Sequence, residues 1–334
     1  MTVAVWSPLM VSLVLGIGGP QLARSMRPAV AVRMLTAGAV TAALAMGFSL
    51  AVVALFLLAG VRDIAVLGHW STAELHVFPG VPWPVGLAAA GVVAGLLTAA
   101  AVHTVRAGSQ LWTAELLCRR LGSDRYEDRP VVVDDDTPEA YAVPGIRGRV
   151  VVTTAMFAAL TTAERRVLLA HEASHLTHRH HLWIQLVELA AVANPLLRRL
   201  PPVVRHATER WADEDAARTV GDRRSTAHAI AHAALAHTAA HRHGSRTSGV
   251  FASLAATGGD VPRRVYALLN PSPLRWSALA AAVLTAAMLA ALSSSAVVGT
   301  TTEDRFERAH AAQNLAGAAL STPIAGSTSR VVLR

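Results

Sequence analysis

A multi-pass α-helical membrane protein that carries one α+β domain before its last span is the architecture this sequence predicts. Three observations predict it. Hydrophobic residues make up 53% of the 334 and charged residues only 16%, below the ~25% usual for soluble domains. Four stretches reach the roughly 20 apolar residues that a bilayer crossing takes. Between the third and the fourth lies a polar insert of about 170 residues, enough for a core of its own.

The first expected span covers residues 3–19, with no charge before Arg24. It lacks a basic start and a small-residue cleavage site, so it reads as an anchor and not as a signal peptide. The second covers residues 34–61 between Arg33 and Arg62, the third 81–105, and the fourth 275–300 up to Glu303. A central Arg or Asp would cost ~2.5–3.5 kcal/mol, and the four apolar cores contain none. Arginine bias sets the orientation. Arg24, Arg27 and Arg33, then Arg106, Arg119 and Arg120, then Arg263, Arg264 and Arg275 fall on one side. The opposite connection has Arg62, offset by Asp63 and Glu74. Positive charge stays inside, which predicts a cytoplasmic domain over 106–274 and a short extracytoplasmic tail over 301–334.

Within the insert, Gln110 to Leu121 predicts a helix. Val131 to Val133 predicts a short strand stopped by Asp134, Asp135 and Asp136, which read as a solvated turn. Val150 to Thr154 is the strongest strand signal, and its edge is expected to accept an extended peptide as an added strand. Thr161 and Glu164 form a capping-box pattern, and Arg165 to His181 then runs without Gly or Pro as one helix. Leu182 to Leu197 is apolar but interrupted by Glu188 and Pro195. It reads as a core helix or as one lying on the membrane, with Arg198 and Arg199 near lipid phosphates. A second polar helix is expected over Val203–Val220. The Ala-rich helix after Ser225 carries His228, His232, His237, His241 and His243. At 100° per residue the first two lie nearly opposite His237 and His241, so a solvated helix is expected there.

Composition excludes several chemistries. Cys118 is the one cysteine, so no intrachain disulfide and no cysteine-built metal or nucleophile site can form; it reads as a small packing residue. The net charge of +8 comes from scattered arginines with no basic stripe, which argues against direct nucleic-acid binding.

The positive signal is His171-Glu172-Ala173-Ser174-His175. Two histidines four apart on a helix lie about 40° apart around the axis and ~6 Å along it, close enough for one zinc ion. Glu172, beside the first histidine, can take a proton from the attacking water. With 15 His in 334 residues, roughly 0.02 chance matches to this spacing are expected. His178, His180 and His181 follow closely and read as helix-surface or supporting groups. On the Val203–Val220 helix, Glu209 can complete a His-His-Glu ligand set. Asp213, one turn on, can orient a ligand imidazole. The competing reading of Glu209 and Asp213 is a solvated acidic face.

Ala140-Tyr141-Ala142-Val143-Pro144-Gly145, Arg149-Val150-Val151-Val152-Thr153-Thr154, the histidine motif, Glu209-x-x-Ala212-Asp213 and Arg264-Val265-Tyr266-Ala267-Leu268 occur in the order of a known family. The chain resembles the BlaR/MecR-type antirepressor membrane zinc metallopeptidases. More distantly it is similar to the HtpX-like and CaaX-prenyl-protease-like zincins. The resemblance spans about Val131 to Leu269. It implies a zincin-like (gluzincin) α+β metallopeptidase domain, Zn2+ held by His171, His175 and Glu209, Glu172 as general base, and Asp213 supporting a ligand. It places Tyr141, Val143 and Val151 along the substrate groove. The HtpX-like relatives carry a His-Pro where this chain has Asp260-Val261-Pro262, which favours the antirepressor branch. The implied function is cleavage of a cytoplasmic, BlaI/MecI-like repressor beside membrane lipid. The alternatives are HtpX-like membrane-protein quality control, and a non-catalytic zinc-binding scaffold or sensor. Glu172 argues against the last, because a pure metal site has no need of it.

Overall fold

The structure, a computed structural model, describes residues 2–59, 66, 69, 83–120, 130–146, 148–242, 260–271 and 277–321. Arg62, Asp63, Glu74, His243, Arg275 and Trp276 lie outside them. The elements are α1 (Thr2–Arg24), α2 (Pro28–Ala59), α3 (Trp83–Arg120), β1 (Val131–Val133), β2 (Ala140–Val143), β3 (Arg149–Thr153), α4 (Thr154–Ala159), α5 (Thr162–Thr177), α6 (His180–Ala193), a 3-10 turn (Pro195–Leu197), α7 (Leu200–Val220), α8 (Arg223–Arg242), α9 (Val261–Leu269) and α10 (Ser277–Ser321).

Three described helices are long and apolar enough to cross a membrane: Pro28–Ala59, Pro84–Arg120 and Ala278–Leu315. The first expected span falls within the 23-residue helix α1. α3 runs without a break through the expected domain boundary at residue 105, and α10 continues past residue 300 to Ser321.

The chain divides into two units, Met1–Pro8 with Ala45–Gly95 and Ala291–Arg334, and Leu9–Leu44 with Leu96–Ala290. In the first, Val52, Phe56 and Ala59 of α2 bury against Val298 and Ala309 of α10. The Phe56 and Phe306 rings stack at 5.7 Å.

The second unit holds the site. Its largest core joins Ala31, Val32, Leu35, Ala39 and Ala42 of α2 to Leu200, Val204, Ala207 and Trp211 of α7. The α7 residues recur at helical spacing, so one face of α7 lies on α2. α1 joins this core through Leu15, and Ser12 accepts a hydrogen bond from Asn194 Nδ2 at 2.8 Å. A Cβ on Gly16 would stand 2.1 Å from the Leu196 carbonyl oxygen, so only glycine lets α1 approach the 3-10 turn this closely. Leu182–Leu197 is thus largely a packed helix and turn, with Leu182 and Leu186 exposed.

The sheet has the order β1-β3-β2, with β1 parallel and β2 antiparallel to β3. β3 is therefore central, and the edge expected at Val150–Thr154 is paired; the edge strands of this sheet are β1 and β2. Because successive side chains alternate, Val151 packs with Cys118 and Val143 on the α3 side. Val152 packs with Met156 and Leu160 on the other. Val143 and Val151 are thus core residues, 2% and 1% exposed, and not groove residues as the resemblance implies. Glu115 of α3 accepts from the Ile146 N–H at 2.8 Å, tying the long helix to the turn between β2 and β3.

α5 begins at a complete capping box. The Thr161 side chain accepts from the Glu164 N–H, and the Glu164 carboxylate accepts from the Thr161 N–H at 2.9 Å. The expected single helix to His181 is broken at residues 178–179. Arg179 adopts φ 49°, a left-handed conformation, and α6 starts after it. α7 ends where Gly221 takes φ 80° and donates to the Ala217 carbonyl, a common helix stop.

Candidate metal centre

α5 and α7 pack against each other and supply the site's nitrogen and oxygen donors. The His171 and His175 Nε2 atoms lie 3.2 Å apart. Glu209 Oε2 is 3.5 Å from His171 Nε2, and Glu209 Oε1 is 3.7 Å from His175 Nε2. A tetrahedral zinc with bonds of 2.0–2.2 Å has ligand-to-ligand edges of roughly 3.3–3.6 Å. Among the described residues, these three form the group able to hold a metal ion. The donor set of two imidazoles and a carboxylate suits zinc and leaves a position open.

Asp213, 1% exposed, places Oδ1 3.0 Å from His171 Nδ1, the nitrogen turned away from the donor cluster. Arg264 of α9, 6% exposed, grips both acids. Its Nε and Nη2 donate to Asp213 at 2.8 and 2.6 Å, and Nη1 lies 2.9 Å from Glu209 Oε2. One permanent cation thus faces the carboxyl groups of Glu172, Glu209 and Asp213. The excess of acidic groups is a second reason a dication fits.

Charge states follow from burial and these contacts. Burial disfavours a charged His171 ring, but the Asp213 and Glu209 contacts override it and raise its pKa to about 10. Burial lowers His175 to about 4. It also pushes the Glu172 carboxyl up to about 7, against the pull of His171. Glu209 and Asp213 are buried too, yet His175 and His171 hold the first, and Arg264 the second, below the ordinary carboxylate range.

The Glu172 carboxyl also lies near the backbone N–H of Ala142 on the edge strand β2. Tyr141 and Ala142 form one lip of a cleft of about 300 Å³. His171, Glu172, His175, Glu209 and Arg264 line it, and Met156, Val167, Leu168, Ala229, Ile230 and Ala233 supply an apolar wall. Of the expected groove residues, Tyr141 is at the cleft.

The structure adds further residues to the site's surroundings. Arg264 was legible only as part of a motif. His180, 1% exposed, places Nδ1 3.0 Å from His175 Nδ1. His178 and Ser174 meet Asp215 at 2.8 and 2.7 Å. On α8, His228 and His232 place Nδ1 3.1 and 2.9 Å from Glu164 Oε1. These two histidines, 76% and 43% exposed, face the start of α5, and His237 lines the cleft.

The fold and the site together define a metallopeptidase-like domain attached to helices able to span a membrane. Residues 114–252 match the profile of Peptidase family M48, which supports a zincin-type metallopeptidase. No curated protein and no solved structure matches the chain.

Proposed function

We propose that this chain is a multi-pass membrane zinc endopeptidase that cleaves an extended segment of a cytoplasmic protein, of which a BlaI/MecI-like repressor is the favoured substrate. The observation that carries the activity is the placement of Glu172. Its carboxyl sits in the same cleft as the His171, His175 and Glu209 donors and beside the edge strand β2. Zinc held by those three residues would supply Lewis acidity toward the scissile carbonyl and acidify water. Glu172 takes the proton of the attacking water and returns it to the leaving amine. β2 aligns the peptide through main-chain hydrogen bonds, and the apolar wall receives a side chain.

The Arg-rich connections support a domain on the cytoplasmic side, next to lipid, with no direct contact to nucleic acid. The absence of a His-Pro before α9, where Asp260 instead pairs with His206, supports the antirepressor branch over quality control.

The test uses the full chain in detergent. Glu172→Gln should keep bound zinc and lose at least ~10²-fold in peptidase rate, whereas His175→Ala and Glu209→Ala should lose zinc as well. Co-expression with a winged-helix repressor should yield one fragment, absent with Glu172→Gln. An intact repressor alongside degraded misfolded membrane proteins would favour quality control.

A further inference from the structure

Glu209 and Asp213 occupy one side of α7. Trp211, two positions from each, points about 200° away around the axis and is 4% exposed in the core shared with α2. The Arg33 guanidinium of α2 lies over the Trp211 ring, 4.7 Å from its centroid. The His178 ring stacks on the same indole at 4.4 Å, and the His180 ring lies at 4.9 Å. His180 in turn touches His175 through the two Nδ1 atoms, 3.0 Å apart. An unbroken line of contacts therefore runs from an apolar helix able to span a membrane to a candidate metal ligand.

We infer that His180 is a positioning residue for His175, and that α2 holds it in place through Arg33 and Trp211. The inference rests on the zinc-site reading above. His175 turns Nε2 toward His171 and Glu209, so a lone pair on Nε2 faces the metal and the ring proton sits on Nδ1. His180 must then accept at Nδ1 and carry its own proton on Nε2. The two ligands are steadied differently: His171 by the Asp213 carboxylate, His175 by a neutral imidazole. A second carboxylate at His180 would add negative charge to a cluster that already holds three carboxyl groups. Clamping His180 between Trp211 and the end of α5 leaves its ring little freedom, and α2 carries the clamp.

The experiment compares two substitutions in the full-length protein in detergent, with zinc affinity read by chelator competition. His180→Phe keeps a ring against Trp211 but has no acceptor. His180→Asn loses the ring but places Oδ1 near the position of Nδ1. Loss of an orienting partner should weaken zinc binding roughly 10- to 100-fold in the Phe variant. The Asn variant should stay within about threefold of the wild type, with a cobalt-loaded visible spectrum like the wild type's. Arg33→Gln should weaken zinc binding roughly three- to tenfold through the lost cation–π contact. Nitrogen-15 spectra of the zinc-loaded wild type should show His175 protonated on Nδ1 and His180 on Nε2, a readout that needs no variant. Wild-type zinc affinity in His180→Phe, an Asn variant as weak as Phe, or the opposite tautomers would overturn the inference. A wild-type chain that binds no zinc would instead refute the metal-site reading and take the inference with it.

Discussion

Arg264→Met removes the one guanidinium that, among the described residues, faces the buried acids of the site. The side chain is 6% exposed and makes contacts of 2.6, 2.8 and 2.9 Å to Asp213 and Glu209. Met keeps much of the apolar stem but leaves Asp213, 1% exposed, without its guanidinium and with only the His171 contact. Removing one partner of a buried pair costs about 3–5 kcal/mol. For a domain of this size that lowers Tm by roughly 6–20 °C. The assay is a thermal melt of full-length protein with a chelator present, so that no metal compensates the acids. Acid should shrink the deficit, and the sign follows from linkage. In the wild type burial works against the Asp213 charge, but Arg264 holds its carboxyl low. Its stabilisation is therefore present above the ordinary carboxylate pKa and is lost as pH falls through the depressed value. In the variant the buried carboxyl keeps only the His171 contact, titrates higher than in the wild type and is neutral in acid, so the two melting curves converge. A drop below about 3 °C at pH 7.5, or a deficit that grows in acid, would refute the idea that Arg264 neutralises the buried acids.

Two further outcomes are expected. Burial works against the Glu164 charge, but the Thr161 and His232 contacts hold its carboxyl at about 2, below its ordinary 4.5. Its stabilisation should be complete above that ordinary value and fade as pH falls toward the lower one. Thermal melts across this range should be flatter for Glu164→Gln, and Thr161→Ala should cost about 1 kcal/mol; a pH slope as steep as the wild type's in Glu164→Gln would show the carboxylate to be uninvolved. Cys118 tests the orientation: its thiol is buried. A membrane-impermeant maleimide should label it only after permeabilisation and denaturation, and labelling in intact cells would place the domain outside.

The histidine motif, the capping box and the strand before them are local patterns, and local patterns survive in a one-dimensional reading. Thr161 and Glu164 lie within one turn, so hydrogen-bond geometry alone relates them. His171 and His175 share a face because of helical periodicity alone. The errors fall where a distant segment decides. Arg165 to His181 contains no Gly or Pro, yet the helix breaks at Arg179, whose left-handed conformation lets His180 turn back onto His175. Val143 and Val151 look like groove residues in a motif, but β3 is paired on both sides and α3 covers one face, so both are core. His228 and His232 keep much of their surface in solvent, as expected, but only the packing of α8 on α5 brings Glu164 to them.

By itself, the sequence determined the donor types and their spacing, the apolar stretches and the capped start of α5. Each depends on residues within a few turns of one another, where backbone geometry leaves few alternatives. Tertiary structure decided which strand carries the free edge, which acid holds which imidazole, and how Arg264 closes the site from 51 residues beyond Asp213. It also decided that α7 presents one face to α2 and the opposite face to the metal donors. Those outcomes depend on packing between segments far apart in the chain, where many pairings share the same local pattern and burial of charge with its partner selects among them.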